Sequence, residues 1–230
     1  MVPGNGKVVV ESLSKSFRVA RAPASLKESI SGLVAHFFTP AAEKSDDLFW
    51  VFRNLSFDAV PGDVVAIRGK NGAGKSTLLK VLSRVIPPTS GRAMVKGKLA
   101  PMLEVGAGFH PELTGRENVF LSAAILGMSK AEIRNKFDAI VQFSGVERFL
   151  DTPVKHFSSG MYIRLGFSVA VHCQPDVIVA DEVFGVGDAE FKEKNLQRML
   201  ELKNEGTIIL FVTHDEELSK KIANKEVFIS

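Results

Sequence analysis

Short apolar runs separated by polar and glycine-rich segments are the first pattern in this chain. Three of them, Val64–Ile67, Val177–Ala180 and Thr207–Val212, are continuous and bounded by polar residues. Such runs are typical of strands buried on both faces of a parallel sheet. Looser alternation over Lys7–Leu13 and Leu48–Val60 predicts two further strands, and short strands are expected near 93–95 and 98–99.

Between these strands the apolar residues recur every three or four positions, which predicts helices. The expected helices cover 77–82, about 116–126, 130–144, 160–172 and about 191–204. The patterns Thr114-x-x-Glu117 and Ser129-x-x-Glu132 resemble capping boxes, which begin helices. The alternation of strands and helices predicts an α/β fold, with a helical subdomain over about 104–172.

Residues 18–48 differ from the rest of the predicted fold. Basic residues lead into an apolar stripe with helical spacing, and Pro40 ends it. We therefore predict an amphipathic helix and a loop inserted between two strands. Two interpretations stay open: the stripe packs on its own domain, or it docks against a membrane-embedded partner or the membrane surface.

Composition narrows the class of protein. The chain has 230 residues, a net charge of +3, 45% hydrophobic residues and one cysteine. The single cysteine, Cys173, excludes an intramolecular disulfide and a cysteine-rich metal site, and its apolar surroundings predict a core residue. The charge is too small to indicate nucleic-acid binding by itself. We see no secretory leader and no run of about 20 apolar residues, so a soluble, cytoplasmic protein is expected.

The segment Gly69–Thr77 fits the phosphate-loop pattern G-x-x-x-x-G-K-[ST]. It follows a predicted strand and precedes a predicted helix, which is the context that the motif requires. Glycines allow several N–H groups to face one phosphate chain, and the helix N-terminus favours anions. Lys75 would contact the β and γ phosphates, and Ser76 would bind Mg²⁺. The candidate nucleotide-binding residues are Gly69, Asn71, Gly72, Ala73, Gly74, Lys75, Ser76 and Thr77.

Two acids end the second apolar run. An acid at the carboxyl end of a strand beside a phosphate loop can hold Mg²⁺ through water, which is the role expected for Asp181. Glu182 is suited to orient or deprotonate an attacking water. His214 follows the third run and could donate to the γ-phosphate, although histidines at strand ends are common.

Phe17 follows the first predicted strand. In a nucleotide-binding domain an aromatic residue there can stack on adenine. A phenylalanine of the core or of a turn fits the sequence equally well, because the sequence does not tell which face the ring uses.

The segment Phe157–Met161 completes an ordered set of motifs. Together with Gly69–Thr77, the acid pair and His214, it makes the chain resemble the ATP-binding subunit of an ABC transporter. The resemblance implies one ABC nucleotide-binding domain over 1–230, a P-loop NTPase with an antiparallel β subdomain and an inserted helical subdomain. It also implies ATP and Mg²⁺ as cofactors and a head-to-tail homodimer, in which the signature residues act on the partner's ATP. Those residues are Ser158, Ser159, Gly160 and Met161.

Several residues depart from the family pattern. Ser159 and Met161 replace a glycine and a glutamine of the signature, Val183 replaces a proline, and Glu104 stands where a glutamine is usual. Asp188, by contrast, matches the loop aspartate of the family. These departures, the stretch Leu103–Asn118 and the insertion resemble the exporters of O-antigen, teichoic acid or capsule. The resemblance implies a multi-span membrane subunit as partner, a lipid-linked polysaccharide as cargo, and a position on the cytoplasmic face of the inner membrane.

Two other functions remain as alternatives. One is an ABC ATPase subunit for another cargo, such as a small molecule, lipid or drug. The other is a soluble ABC-type ATPase acting on DNA or ribosomes. The second class usually carries long coiled-coil arms or tandem nucleotide domains, and the sequence contains neither a sustained heptad pattern nor a repeat. No nucleic-acid partner is therefore expected.

Overall fold

The computed structural model describes residues 6–18, 48–103, 105–106, 108–182, 187–213 and 215–229. The predicted insertion lies outside the described residues apart from its two ends, Arg18 and Leu48. Glu104 and His214 also lie outside them.

The described residues form β-strands, α-helices and two 3₁₀ turns. The strands are β1 (Lys7–Arg18), β2 (Leu48–Ala59), β3 (Val64–Gly69), β4 (Ser90–Lys96), β5 (Leu99–Met102), β6 (Val177–Asp181), β7 (Ile208–Val212) and β8 (Lys225–Ile229). The helices are α1 (Lys75–Leu82), α2 (Gly115–Ile125), α3 (Lys130–Ser144), α4 (Ser159–His172), α5 (Ala189–Asn204) and α6 (Glu216–Ile222), with 3₁₀ turns at Glu147–Phe149 and Val154–His156.

The strands make two sheets. Five parallel strands lie in the order β5-β6-β7-β3-β8, and an antiparallel sheet has the order β2-β1-β4. The α/β architecture with an antiparallel subdomain and a block of helices is therefore confirmed. The parallel order places the ends of β6, β7 and β3 side by side at one edge.

The parallel sheet separates two apolar cores. Val65 and Ile67 of β3 pack with α1 and the antiparallel sheet, whereas Val64 and Ala66 pack with the helical block on the opposite face. Successive side chains of a strand point to opposite faces, so a strand covered on both faces must be apolar throughout. This explains the continuous apolar runs of the sequence.

Both predicted capping boxes are present. The Thr114 side chain accepts from the Glu117 N–H and the Glu117 carboxylate accepts in return from the Thr114 N–H, at the start of α2. Ser129 and Glu132 repeat the arrangement at the start of α3. The sequence thus located both helix starts to within one residue. Cys173 is buried, as predicted, and burial raises the pKa of its thiol to about 11.

One prediction of strand extent was wrong. β1 continues to Arg18 rather than ending near Leu13, because irregularities between Val10 and Ser16 interrupt the alternation while pairing with β2 continues. After β7, which ends at Val212 as expected, α6 and β8 follow, and β8 pairs with β3.

The turn before β3 is fixed to β8 by a buried carboxylate, and this contact is testable. Asp63 accepts hydrogen bonds from the Val60 N–H (2.8 Å) and from Asn224 (3.2 Å), and it forms an ion pair with Lys225 (2.8 Å). Burial raises the pKa of Asp63, but the hydrogen bonds from Lys225 and Val60 outweigh burial and hold that pKa below its ordinary value. We expect Asp63→Asn to lower the free energy of unfolding by about 1–3 kcal/mol at pH 7.

The pH dependence of the free energy of unfolding tests whether the pKa of Asp63 is lowered in the folded state. A carboxyl group whose pKa is lower in the folded state stabilises the protein above its unfolded-state pKa, and the contribution disappears as the pH falls through the folded-state value. The difference between parent and Asp63→Asn should therefore shrink below about pH 4. Urea unfolding at several pH values measures it. Asp58→Asn is the control, because Asp58 is 68% exposed and lies 3.7 Å from Lys225. Equal losses for the two variants would contradict the assignment.

Candidate active site

A cleft of about 500 Å³ opens at the edge where β3, β6 and β7 end. Its walls come from the β1–β2 pair, the loop into α1 and the ends of β6 and β7. The lining residues are Phe17, Phe49, Val51, Asn71, Gly72, Gly74, Lys75, Ser76, Thr77, Asp181, Glu182 and Val212. The structure thus brings the predicted phosphate loop, the acid pair and Phe17 into one cavity.

Gly72 and Gly74 of the phosphate loop both have positive φ angles, of 80° and 96°. Gly74 caps α1 at φ 96°, in the left-handed region that favours glycine. A Cβ at this position would lie 2.1 Å from Cγ1 of Val51. The loop is therefore pressed against β2, and the N-terminus of α1 opens into the cleft. Lys75, the first residue of α1, donates from Nζ to the carbonyls of Gly69 (2.9 Å) and Lys70 (3.1 Å).

The two acids leave the sheet together. Asp181 is the last residue of β6 and is half-buried, and Glu182 follows with an exposed side chain. Glu182 has φ 54°, an unusual backbone conformation for a residue with a side chain, and its N–H donates to the Val212 carbonyl (3.1 Å). Strained residues of this kind cluster at functional sites. The bond to β7 fixes the direction in which Glu182 leaves the strand.

The side chains of the cleft suit Mg²⁺ that arrives with a nucleotide. Ser76 offers a hydroxyl and Asp181 a carboxylate within the same cavity. Mg²⁺ keeps several waters and takes few protein ligands when phosphate oxygens supply the rest. Within the described residues there is no group of three or more His, Cys, Asp or Glu that could hold a metal by itself. The set fits a nucleotide-bound ion better than a permanent metal centre.

Phe17 lies in β1, and not after it as the sequence suggested. Its ring is 45% exposed, lines the cleft, and has the Lys15 ammonium 4.8 Å from its centroid. An exposed ring does not fit the alternative of a core phenylalanine. Contact between this ring and a nucleotide base stays a prediction.

Several predicted site residues do not line the cleft. Gly69 ends β3, and a Cβ there would lie 2.5 Å from the Ile229 carbonyl oxygen, so its role is to let β8 approach. Ala73 packs against the core next to α1. Asp188 and the signature residues Ser158–Met161 are also absent from the cleft lining.

The signature residues begin α4. The Ser158 hydroxyl accepts from the Met161 N–H (3.2 Å) and so caps the helix, and both Ser158 and Ser159 are exposed. One turn later Tyr162 donates its hydroxyl to the Gly106 carbonyl (3.0 Å). The start of the signature helix is therefore attached to the glycine-rich loop that precedes α2.

Asp188 has two partners that the sequence analysis missed. Its carboxylate accepts from the Phe191 N–H, which caps α5, and it forms an ion pair with Arg164 of α4. The hydrogen bond from the Phe191 N–H and the nearby guanidinium lower the pKa of Asp188. The Arg164 guanidinium also lies 5.1 Å from the centroid of the Phe191 ring. The loop containing Asp188 is thus linked to the signature helix of the same chain.

Phe49 and Val51 of β2 are cleft residues that sequence reasoning also missed. The signal was present, because Phe49 and Val51 alternate with Trp50 and Phe52 along one strand. Nothing in the alternation alone tells that one face of this strand borders the phosphate loop.

A second cleft, of about 540 Å³, lies between α3, α5 and the end of α4. It is lined by several cations, but each of them serves a helix end: Lys136 donates to the His172 carbonyl (2.9 Å), and Lys194 to the Phe143 carbonyl (3.1 Å). Cations near the negative ends of helices are stabilising. These contacts account for the positive charge as part of the fold.

Comparison with known proteins identifies the class. The sequence model described as ABC transporter matches residues 52–185. A solved structure titled as an ATP-binding subunit of an ABC transporter superposes with a TM-score of 0.76 at 24% identity, over 96% of this chain and 85% of that one. A dimeric ATP-binding cassette bound to ADP and Pi gives 0.74 at 20% identity, over 97% and 94%. The chain belongs to the ABC transporter family, as its motifs predicted.

Several of the similar proteins are named as export ATP-binding proteins. The O-antigen export system ATP-binding protein RfbB of Klebsiella pneumoniae is 42% identical over 181 residues, which are 79% of this chain and 74% of that protein. RfbB of Myxococcus xanthus is 38% identical over 90% of this chain and 48% of its own length. The teichoic acids export ATP-binding protein TagH of Lactococcus lactis is 38% identical over 97% and 47%. The chain thus spans about half the length of the last two. In its described part no helix is both long and apolar enough to cross a bilayer.

The contact between α4 and the loop at Gly106 can be tested. Gly106 has φ 87°, and a Cβ there would lie 2.3 Å from the Tyr162 ring. Gly106→Ala should therefore lower the free energy of unfolding by about 2–4 kcal/mol, since backbone strain and a steric clash add. Gly127→Ala is the control: φ is 83°, but the nearest atom would be 3.7 Å away. Chemical denaturation measures both. Equal effects would show that strain alone matters and that Tyr162 does not press on the loop.

Proposed function

We propose that this chain is the ATP-hydrolysing subunit that powers export of a lipid-linked polysaccharide of the O-antigen, teichoic acid or capsule type. One observation carries the proposal: the phosphate loop, the acid pair and an exposed aromatic ring line one cleft at the edge of a parallel sheet. The names of the relatives supply the cargo class.

Different walls of the cleft would contact different parts of the nucleotide. Backbone N–H groups of the loop and the N-terminus of α1 would surround the phosphates, and the Lys75 ammonium would exchange its bonds to loop carbonyls for phosphate oxygens. The Ser76 hydroxyl would bind Mg²⁺ directly and the Asp181 carboxylate through water. Bound Mg²⁺ would neutralise charge on the phosphates. Phe17 would contact the base.

Glu182 is the residue that we assign to the water. Its exposed carboxylate lines the cleft beyond Asp181, and its backbone is fixed to β7. A carboxylate held there could orient the attacking water in line with the γ-phosphate and accept its proton. His214 remains a candidate donor to the γ-phosphate from the segment after β7.

A single cleft is incomplete in this scheme. Ser158 and Ser159 are exposed at the N-terminus of α4 and lie outside the cleft, so their N–H groups could meet the γ-phosphate only in a second copy. We therefore propose a head-to-tail homodimer with two shared sites. Asp188, linked to Arg164 of the signature helix, would lie at the seam.

Export requires a membrane partner. We propose that a multi-span subunit holds the dimer on the cytoplasmic face of the inner membrane, and that closure of the dimer reaches this subunit through the helical block and the loop around Glu104. An ABC subunit for another cargo is the first alternative. A soluble ABC-type ATPase on nucleic acid is the second, and the small net charge of +3 does not favour it.

Two variants distinguish the hydrolysis of ATP from its binding. Glu182→Gln should keep the affinity for Mg-ATP within about twofold and lower turnover at least about a hundredfold, because only the carboxylate can accept the proton. Lys75→Ala should weaken Mg-ATP binding about tenfold or more, since a hydrogen-bonded charge on the phosphates is lost. Calorimetry and phosphate release measure the two quantities. Glu147→Gln and Lys80→Ala, exposed residues away from the cleft lining, are the matched controls. Turnover of Glu182→Gln at the parent rate would exclude Glu182 as the base.

The cargo needs a test in the cell. Replacing the native copy by Glu182→Gln should stop export, so that the lipid-linked polysaccharide accumulates on the cytoplasmic side. A multi-span subunit should co-purify with the chain from membranes. Normal surface polysaccharide together with loss of a different transport activity would favour the other-cargo alternative. Salt-sensitive nucleic-acid binding would favour the second one.

A further inference from the structure

A second aromatic ring stands at the rim of the cleft. Phe49 is the second residue of β2, and its side chain is 58% exposed. It lines the same cleft as Phe17 and the phosphate loop. A single exposed ring needs no explanation, but Phe49, Phe17 and Val51 line one cavity together, and adjoining apolar side chains of this kind are typical of a binding site.

The pairing of the strands places the two rings together. Phe17 of β1 is directly opposite Phe49 of β2, and no irregularity separates this pair from Ser16 and Trp50 beside it. Residues directly opposite in an antiparallel pair point to the same face, with Cβ atoms about 4.5–5.5 Å apart. Phe17 and Phe49 therefore lie on the same face of the β1–β2 pair, which is called the aromatic wall below, and the neighbouring Trp50 belongs to the other face.

The cleft has an apolar wall and a polar, charged wall, just as a nucleotide has a flat base and a charged phosphate chain. Phe17, Phe49 and Val51 make its β1–β2 wall apolar, whereas the loop and the end of β6 contribute Lys75, Ser76 and two acids. Val51 also touches the phosphate loop, because a Cβ on Gly74 would lie 2.1 Å from its Cγ1. The aromatic wall thus adjoins the loop that would hold the phosphates, on the side where a base would lie.

We propose that Phe49 is a second base-contacting residue, and that Phe17 and Phe49 together hold the nucleotide base by stacking and apolar contact. The inference rests on the proposed nucleotide site and names the part of it that selects the base. The three apolar side chains of this wall offer no hydrogen bond to the edge of a base. Selection therefore follows the size of the stacked ring system, so purine nucleotides bind better than pyrimidine nucleotides.

The test compares nucleotides with inorganic tripolyphosphate, which has no base. Binding of ATP, GTP, CTP and tripolyphosphate, each with Mg²⁺, is measured by calorimetry on the full chain. Phe49→Ala should weaken ATP and GTP binding at least about fivefold, from loss of a base–aromatic contact, and leave tripolyphosphate unchanged. The preference for ATP over CTP should fall in the same variant. Phe49→Tyr, which keeps the ring, should restore both.

Phe228→Ala is the matched control, since Phe228 is also an exposed strand phenylalanine (66% exposed) and lies on β8 outside the cleft lining. It should bind all four ligands as the parent does. ATP binding by Phe49→Ala within twofold of the parent would overturn the inference. So would equal weakening of ATP and tripolyphosphate, because Phe49 would then act on the loop through β2 rather than on the base.

A different result would contradict the proposed function itself. If the parent chain does not bind Mg-ATP, or if Lys75→Ala binds it as the parent does, the phosphate site itself is wrong and the inference falls with it. Normal ATP binding by the parent, weakened by Lys75→Ala but not by Phe49→Ala, leaves the nucleotide site intact and rejects only the role of Phe49.

Discussion

The N-terminus of α1 meets the carboxyl ends of three parallel strands, and the arrangement of the cleft depends on this meeting. β3 delivers the chain into the loop, β6 delivers the two acids, and β7 lies between them. Strands of a parallel sheet end at a common edge, and a helix that begins there presents unpaired N–H groups to the same space. The helix N-terminus and two carboxylates thus line the same cavity, which is the arrangement that a phosphate chain with a divalent cation requires.

The antiparallel sheet supports this edge from one side. Its β2 strand presses Val51 against the position of Gly74, so the loop cannot relax without displacing the strand. The core between the antiparallel sheet, α1 and the parallel sheet is apolar and separate from the core beneath the helical block. The phosphate loop is thus held by the core that includes α1 and the antiparallel sheet, whereas the signature helix packs in the core on the other face of the parallel sheet. The hydrogen bond from the Tyr162 hydroxyl to the Gly106 carbonyl and the Arg164–Asp188 ion pair connect the signature helix to the loops that contain Gly106 and Asp188.

Much of this could be predicted from the sequence where a residue's role is set locally. The phosphate loop, both capping boxes and the end of β6 are patterns of near neighbours, and each was located to within about two residues. Phe49 and Arg164 could not be found in this way, because their partners are remote in sequence: Phe17 lies across a long connection, and Asp188 lies beyond β6. The true end of β1 was missed since irregular pairing around Ser12, at φ 46°, conceals the period of two. The pairing of β8 with β3 could not be predicted, because the two strands are remote in sequence.

The pairing of β1 with β2 runs to their outermost residues, Arg18 opposite Leu48. The two ends of the connection between β1 and β2 therefore lie at neighbouring positions. A connection whose ends already meet adds little closure entropy as it grows, since each doubling of a flexible loop costs only about 0.6 kcal/mol. Evolution can thus enlarge or exchange this connection without rebuilding the ATPase core. Because the Arg18–Leu48 pair is next to the Phe17–Phe49 pair, both ends of this connection adjoin the rim of the cleft.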